Sequence, residues 1–222
     1  AVTDMNGSQV LLMDATQKTL RPIVDWRSAV TALAADDRIE AVLPVVDGSG
    51  LIRRGQVSRA ILLRGFDLQE ANRIYDINNS IIAGNRNAVD GAVLIGKNLA
   101  EDLSITAGDP IQLELPGQEP LIVMVDGVFD LGAAAINQRW LVMDQRRAAA
   151  LLGTGDRVNT IEMQVYDVLG ADSLAREWGI RLPDYQVESW QQSNASLVST
   201  LKSQSSSSYT IQVFVLLAVI LG

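Results

Sequence analysis

A glycine-rich stretch ending in lysine is the part of this sequence that comes closest to a catalytic motif. Residues 91–98 read GAVLIGKN, which has the GxxxxGK spacing of a phosphate-binding P-loop. That motif needs a loop of free backbone N–H groups around the phosphates and a Ser or Thr after the lysine to hold magnesium. Here the residues between the glycines are apolar strand formers, and Asn98 takes the hydroxyl position. The stretch therefore predicts a core strand, a glycine turn and a helix.

The remaining reactive residue types also argue against catalysis. The chain contains neither His nor Cys, which removes imidazole acid–base chemistry, thiolate nucleophiles and the common zinc sites. The acidic pairs Asp36–Asp37 and Glu101–Asp102 are adjacent in sequence, so on a helix their carboxylates diverge. We expect no catalytic residue, no metal site and no cofactor, and a protein that is not an enzyme.

The net charge and the composition argue against one class of partner, nucleic acids. The formal net charge is -8, whereas binding to a phosphate backbone relies on clustered Lys and Arg. Only the doublets Arg53–Arg54 and Arg146–Arg147 stand out, and each is typical of a solvated face. We expect no nucleic-acid partner. A chain of 222 residues with 48% apolar residues can bury a core in one domain or two small ones.

The two ends of the chain predict a split β-α-β arrangement. Near the start, strand, helix, strand and strand follow one another, with Asp25 as the helix N-cap and a hairpin turn at residues 47–50. Near the other end, a strand precedes a helix closed by Gly179 and a short strand. The predicted elements are a strand at 9–13, a helix at 26–35, strands at 39–46, 56–64 and 159–166, a helix at 171–178 and a strand at 185–187.

The middle of the chain predicts a separate β-rich insertion. Residues 65–87 are loop-rich and favour an extended surface excursion. Strands follow at 92–95, 111–115, 121–129 and 140–143, with helices at 97–103 and from Asp144 to residue 152. The predicted fold class is α+β: a discontinuous subdomain of residues 1–65 and 154–188 with an inserted β-rich subdomain at 66–153.

The last residues raise a different question, because every residue from 213 to 221 is apolar. Spanning a bilayer takes roughly 20 apolar residues, so this run is either the start of a membrane helix or a C-terminal core segment. We expect the former, with residues 189–222 forming a membrane-proximal helix and the start of a transmembrane segment. Removing residues 213–222 should then leave folding of the remainder nearly unchanged.

Four residues make up the predicted membrane-coupling helix. Trp190, Leu197 and Leu201 recur at helical spacing, and Tyr209 together with Trp190 suits the aromatic belt of a membrane interface. The four serines at 205–208 are poor helix formers, so that stretch is either a bend or a continuation of the helix.

Several segments resemble the extracytoplasmic (periplasmic core) domain of MacB/LolC/LolE/FtsX-type ABC transporter permeases. Residues 91–116, GAVLIGKNLAEDLSITAGDPIQLELP, resemble that family's strand, glycine, helix and G-D-x-I-x-L segment. LIVMVDGVFDLG before WLVMDQRRAAALLG resembles its next strands and helix, ILLRGFD its strand with a glycine turn, and VESWQQSNASLVSTLK its membrane-proximal helix. The resemblance covers nearly the whole chain, and its motifs are packing signatures.

The resemblance implies a porter-like α+β subdomain and a β-rich insertion between the first two membrane helices of a four-helix permease in the bacterial inner membrane, on its periplasmic side. It implies that ATP is hydrolysed by a separate cytoplasmic ATPase and that the domain helps to extract or export a lipoprotein or another amphiphile. The implied partners are that ATPase, a second permease subunit in a homodimer or heterodimer, the membrane, and a periplasmic carrier or adaptor.

One departure from the family concerns carrier binding. The Lol permease that hands over lipoprotein has a long hairpin hook between the two strands that here read IQLEL and LIVMV, whereas this chain has only the turn PGQEP. Hook-mediated carrier contact is therefore not carried over. Two other functions stay open: an FtsX-like regulator of a cell-wall hydrolase, and a stand-alone soluble ligand-binding or hydrolytic domain.

Overall fold

A computed structural model of the chain describes residues 2–3, 9–10, 23, 25–85 and 92–193. The chain divides into two compact units. Of the described residues, the larger unit takes 2–3, 9–10, 23, 25–85 and 92–168, and the smaller unit takes 169–193.

The described elements are ten strands and eight helices, in a mixed α/β arrangement. The strands are β1 Val2–Thr3, β2 Gln9–Val10, β3 Ile39–Arg54, β4 Val57–Phe66, β5 Ile81–Gly84, β6 Ala92–Gly96, β7 Pro110–Glu114, β8 Leu121–Phe129, β9 Trp140–Asp144 and β10 Thr160–Val165. The helices are α1 Trp26–Ala34, α2 Leu68–Tyr75, α3 Ile77–Ser80, α4 Lys97–Leu103, α5 Ala134–Asn137, α6 Gln145–Leu151, α7 Ala171–Arg181 and α8 Trp190–Ser193.

Six strands of the larger unit close into a ring. The order is β3, β4, β9, β6, β8 and β7, and β7 pairs again with β3. The β4–β9 and β6–β8 pairs are parallel, and the other pairs of the ring are antiparallel. Outside the ring, β10 pairs with the first half of β3 and β5 pairs with the end of β8. β1 and β2 form a separate antiparallel pair.

Alternating residues on the ring strands build one apolar core. On β7 the side chains of Ile111 and Leu113 are buried, while Gln112 between them is half-exposed. On β8 the side chain of Val123 is buried and that of Ile122 is 61% exposed. This period of two is what a sheet with one buried face requires, and it confirms the strands predicted at IQLEL and LIVMV.

The predicted turn at residues 47–50 is wrong. β3 continues without a break from Ile39 to Arg54, and the chain reverses at Gly55 and Gln56, with Arg54 paired with Val57. Gly55 has a φ of 59°, in the left-handed region that glycine adopts without strain. The hairpin was predicted correctly, but its turn begins eight residues further along the chain, at residue 55 instead of residue 47.

The glycines at 48 and 50 are needed for packing. A Cβ on Gly48 would lie 2.4 Å from the side chain of Leu152, and a Cβ on Gly50 would lie 2.9 Å from the backbone oxygen of Glu114. Both positions therefore let neighbouring elements come close to an extended strand. Because β3 is continuous, it pairs with β10 over its first half and belongs to the ring over its second half.

Residues 65–85 form regular structure, so the predicted surface excursion is wrong in this part. α2 buries Ala71, Ile74 and Tyr75, which recur at helical spacing, and α3 and β5 follow directly. Asp76 ends α2 in the left-handed conformation. The polar stretch DINNS suggested a loop, but the apolar positions before it decide the structure.

Four aspartates precede helices in the described part of the chain, and only two of them cap through their side chains. Asp67 before α2 and Asp144 before α6 each accept hydrogen bonds from two backbone N–H groups of the first helical turn. The predicted cap by Asp144 is thus confirmed. Asp25 precedes α1 as predicted, but its backbone has the left-handed conformation. Its carboxylate accepts a hydrogen bond from the Ser28 hydroxyl at 2.8 Å and not from a backbone N–H group.

Two predictions near the end of the described chain need correction. α7 continues to Arg181, so Gly179 lies inside the helix, and its φ is not in the left-handed region that an αL C-cap would need. Residues 185–187 do not form the predicted strand. The predicted limits of the subdomains, 1–65, 66–153 and 154–188, stay a prediction, although β3 and β4 from the first segment are part of the ring.

Candidate functional site

The predicted membrane-coupling helix can be located at one residue only. Trp190 is the first residue of α8 and is half-buried. Leu197, Leu201 and Tyr209 lie outside the described residues, as does the apolar run at 213–221. No helix in the described part of the chain has both the length and the apolar character needed to cross a bilayer.

Side-chain hydrogen bonds fix the start of α8. The Ser189 hydroxyl accepts a bond from the backbone N–H of Gln192 at 3.2 Å, and the Gln192 side-chain oxygen accepts one from the backbone N–H of Ser189 at 3.4 Å. This reciprocal pair is a capping box, which satisfies two backbone donors at a helix start. The signal is visible in the sequence as SWQQ, and it would have predicted the helix start at Trp190.

A carboxylate on α7 links the two helices of the smaller unit. Oδ1 of Asp172 accepts bonds from the Ser189 hydroxyl at 3.2 Å and from the Gln192 side-chain nitrogen at 2.8 Å. Oδ2 of Asp172 accepts from Arg176, one turn further along α7. Burial by itself would raise the pKa of Asp172, but the bonds from Ser189 and Gln192 and the charge of Arg176 lower it below its ordinary value. The carboxylate is therefore ionised near neutral pH.

A second cluster lies in the larger unit around a buried arginine. The side chain of Arg64 on β4 is 2% exposed, and those of Asp47 on β3 and Glu162 on β10 are 9% and 11% exposed. Arg64 Nε donates to Asp47 Oδ1 at 2.8 Å, and Arg64 Nη2 donates to Glu162 Oε1 at 2.7 Å. Asp47 and Arg64 face each other in the β3–β4 ladder.

Aromatic residues enclose this cluster. Arg64 Nη1 donates to the Tyr75 hydroxyl oxygen at 3.0 Å, and the Tyr75 hydroxyl donates to Glu162. The guanidinium carbon lies 4.1 Å from the ring centroid of Trp140 on β9, and the Tyr75 ring packs edge-on against Trp140. The Arg64 cluster, defined as Arg64, Asp47, Glu162, Tyr75 and Trp140, thus ties four strands and α2 together.

The electrostatics of the Arg64 cluster are unbalanced, because two carboxylates face one guanidinium. Burial raises the pKa of Glu162, Asp47 raises it further, and Arg64 opposes the rise without cancelling it. Burial would lower the pKa of Arg64, but the two carboxylates outweigh it and leave that pKa well above its ordinary value. Burial also raises the pKa of Tyr75 well above its ordinary value. No sequence pattern pointed to this cluster, because its members are far apart along the chain.

Two further charged residues named in the sequence analysis, Lys97 and Arg53, form ion pairs. Lys97 from the P-loop-like stretch pairs with Asp130 at 3.2 Å, and a Cβ on Gly96 would lie 2.4 Å from the backbone oxygen of Asn137. Gly96 therefore serves packing of β6 against α5. Arg53 pairs with Glu114 at 2.7 Å on the outside of the ring.

Comparison with curated proteins finds relatives among lipoprotein-releasing permeases. The chain is 24% identical over 194 residues to "Lipoprotein-releasing system transmembrane protein LolC" of Xylella fastidiosa, covering 82% of this chain and 46% of that protein. It is 21% identical over 180 residues to the corresponding LolE of Haemophilus influenzae, covering 73% of this chain and 42% of that protein. The chain thus spans less than half the length of these relatives. No protein-family model matches it.

Solved structures show the same fold. The periplasmic region of MacB from Actinobacillus actinomycetemcomitans aligns with a TM-score of 0.52 at 15% identity, covering 79% of this chain and 82% of that one. The extracellular domain of the noncanonic ABC-type transporter YknZ from Gram-positive bacteria aligns with a TM-score of 0.51 at 16% identity, covering 75% and 87%. In sequence the chain is similar to LolC and LolE over most of its length, and in fold it is similar to the extracytoplasmic domains of MacB and YknZ, so both comparisons support the resemblance to MacB/LolC/LolE-type ABC transporter permeases.

Proposed function

We propose that this domain couples ATP hydrolysis on the cytoplasmic side of a bacterial inner membrane to the extraction or export of a lipoprotein or another amphiphile. The observation that carries the proposal is the similarity to LolC, which extends over 82% of the chain. The printed name of that relative describes a transmembrane protein of a lipoprotein-releasing system. The domain itself performs no catalysis and binds no cofactor in this proposal.

The proposed partners follow from the same relationship. A cytoplasmic ATPase supplies the energy, and a second permease subunit, identical or different, completes the transporter. The domain lies on the periplasmic side as a porter-like split α+β subdomain with an inserted β-rich one. A contact with a periplasmic carrier or adaptor does not use a hook, because only residues 115–120 connect β7 to β8.

The test is ATP-driven release from a membrane. The full-length permease and its ATPase are reconstituted into proteoliposomes with a fluorescently labelled triacylated lipoprotein, and release into the aqueous phase is measured with and without ATP. We expect release that depends on ATP and that disappears with an ATPase carrying an inactivated catalytic site. Equal release without ATP would contradict the proposal.

A second arm separates the possible substrates. The same vesicles are loaded with a labelled amphiphile that lacks a protein part. Release of both probes supports export of amphiphiles in general, and release of the lipoprotein alone supports the narrower substrate. If neither probe moves, and the permease instead raises the activity of a co-purified cell-wall hydrolase in response to ATP, the transport proposal is overturned in favour of the FtsX-like function.

A further inference from the structure

Asp172 is the side chain through which α7 holds the start of α8. One carboxylate oxygen accepts from both Ser189 and Gln192, at 3.2 and 2.8 Å. Ser189 is 3% exposed, so its hydroxyl is withdrawn from water, and its bond to Asp172 replaces solvent. Ser189 and Gln192, which form the capping box, both donate to Asp172, so one carboxylate contacts both members of the capping box.

Side-chain hydrogen bonds connect the described start of α8 to α7 and to the residues before α7. Besides the two bonds to Asp172, the Gln191 side-chain nitrogen donates to the backbone oxygen of Leu169 at 3.2 Å. Of these links, only those to Asp172 involve a charge, and charge-assisted bonds are about twice as strong as neutral ones.

The carboxylate has a separate interaction that allows a matched control. Oδ2 pairs with Arg176, whose side chain is 64% exposed and lies on the same helix. Removing Arg176 leaves both bonds from α8 in place, whereas removing Asp172 breaks them. Both variants therefore lose the ion pair between Asp172 and Arg176, and only the loss of Asp172 also removes the bonds to α8.

We propose that Asp172 is a positioning residue that fastens α8 to α7, and that in the working permease this joint passes movement between the two helices. The inference rests on the proposed function, since it concerns how movement reaches the folded domain. Loss of the joint leaves ATP hydrolysis intact and lowers the amount of substrate moved for each ATP consumed.

The first measurement is hydrogen exchange on this chain. In the Asp172→Ala variant we expect the amides of residues 189–193 to exchange at least tenfold faster than in the unaltered chain, and in Arg176→Ala we expect no change at these amides. Asp172→Asn, which keeps a neutral acceptor oxygen for Ser189 and Gln192, should restore part of the protection. Equal exchange rates at these amides in Asp172→Ala and Arg176→Ala would overturn the proposal that Asp172 positions α8.

The second measurement is the ratio of lipoprotein released to ATP hydrolysed, with the full-length permease and its ATPase in proteoliposomes. We expect Asp172→Ala to lower this ratio at least fivefold with ATP hydrolysis retained, and Arg176→Ala to leave it unchanged. If Asp172→Ala does not fold, Gln192→Ala, which removes one of the two donors, takes its place and should lower the ratio in the same direction.

The outcomes separate this inference from the proposed function. If the unaltered permease releases no lipoprotein with ATP, the proposed function fails. If it releases lipoprotein and Asp172→Ala matches it, the joint has no part in coupling, and only the further inference fails. Faster exchange with an unchanged ratio also overturns the inference, because the carboxylate then has a structural role alone.

Discussion

At the scale of single residues, the Arg64 cluster is unusual because it buries three charged side chains together. A guanidinium that is 2% exposed faces two carboxylates that are nearly as buried. Removing ions from water costs several kcal/mol for each ion, and the cost is offset only when the geometry of the pairs is good. Here each nitrogen of the Arg64 side chain donates to an oxygen of the cluster. The complete cluster therefore offsets the cost of burying its charges, and removing any member leaves a buried polar group without its partner.

Replacing Arg64 should destabilise the larger unit strongly. Arg64→Ala leaves Asp47 and Glu162 as buried carboxylates without their cation, and breaking a buried pair in this way costs about 3–5 kcal/mol of unfolding free energy. Chemical denaturation followed by circular dichroism measures the change. The control is Arg53→Ala, which removes an ion pair whose side chains are 43% and 23% exposed, and it should change stability much less. Equal losses in the two variants would show that burial of the cluster does not matter.

Glu162 should make stability depend on pH in a defined direction. Its pKa in the folded protein is raised above the unfolded value of about 4.3, so the folded state holds this proton more tightly. The stabilising contribution of the protonated form is complete below pH of about 4.3, and it falls as the pH rises through the folded pKa. Glu162→Gln removes this fall, so the unaltered chain should lose stability relative to the variant as the pH is raised.

The pH measurement compares unfolding free energies of the two chains from pH 4 upward. Asp130 and Asp172 have lowered pKa values, and they add stability as the pH rises, but they are present in both chains and cancel in the difference. A difference between the chains that stays constant with pH would mean that the pKa of Glu162 is the same in the folded and unfolded states, which would contradict this prediction.

At the scale of elements, the sequence predicted helices and strands well wherever periodicity and end signals agreed. α4 begins and ends as predicted, and α6 differs at its end by one residue. Glycine caused two of the errors, because it serves turns, close packing and helix interiors alike. Gly55 makes the hairpin turn, whereas Gly48 and Gly50 make room for Leu152 and Glu114. Only the three-dimensional neighbours distinguish these roles.

The two helices α1 and α2 allow a matched test of capping. Asp67→Ala removes a carboxylate that accepts from two backbone N–H groups, at 2.8 and 3.1 Å, and should cost about 1 kcal/mol. Asp25→Ala removes a carboxylate that caps no backbone N–H, and should change stability by less than about 0.5 kcal/mol. Thermal unfolding measures both. A larger loss of stability in Asp25→Ala than in Asp67→Ala would contradict the assignment of the stabilisation to the hydrogen bonds of Asp67.

At the scale of the whole molecule, the family resemblance was visible in the sequence, and the two side-chain clusters were not. The segment at 91–116 and its neighbours carried the family resemblance because their packing pattern is local in sequence. The Arg64 cluster joins residues up to 115 positions apart, from Asp47 to Glu162, so no local pattern contains it. The same holds for Asp172, whose partners Ser189 and Gln192 follow it after a stretch without regular structure.

The closed ring should open as one unit. Its strands share one apolar core and each has a strand on both sides, so amides of β4, β6, β8 and β9 should exchange through the same opening reaction, with free energies within about 1 kcal/mol of each other. Native-state hydrogen exchange with increasing denaturant measures this. The seam between β6 and β9 is the shortest of the ring, with two residue pairs, and it gives the most sensitive test. Early exchange confined to that seam would contradict a single opening unit.

The continuity of β3 has a mechanical consequence. This strand has 16 residues, roughly 50 Å at about 3.3 Å for each residue, and its two halves are bonded to different neighbours. Tension applied along its axis would load the ladder to β10 and the ladder to β4 in shear, so that many hydrogen bonds resist together instead of unzipping one after another. A turn at residue 47 would have allowed the chain to bend between the two ladders. Because β3 is continuous, force applied at one end is transmitted along the strand to both ladders.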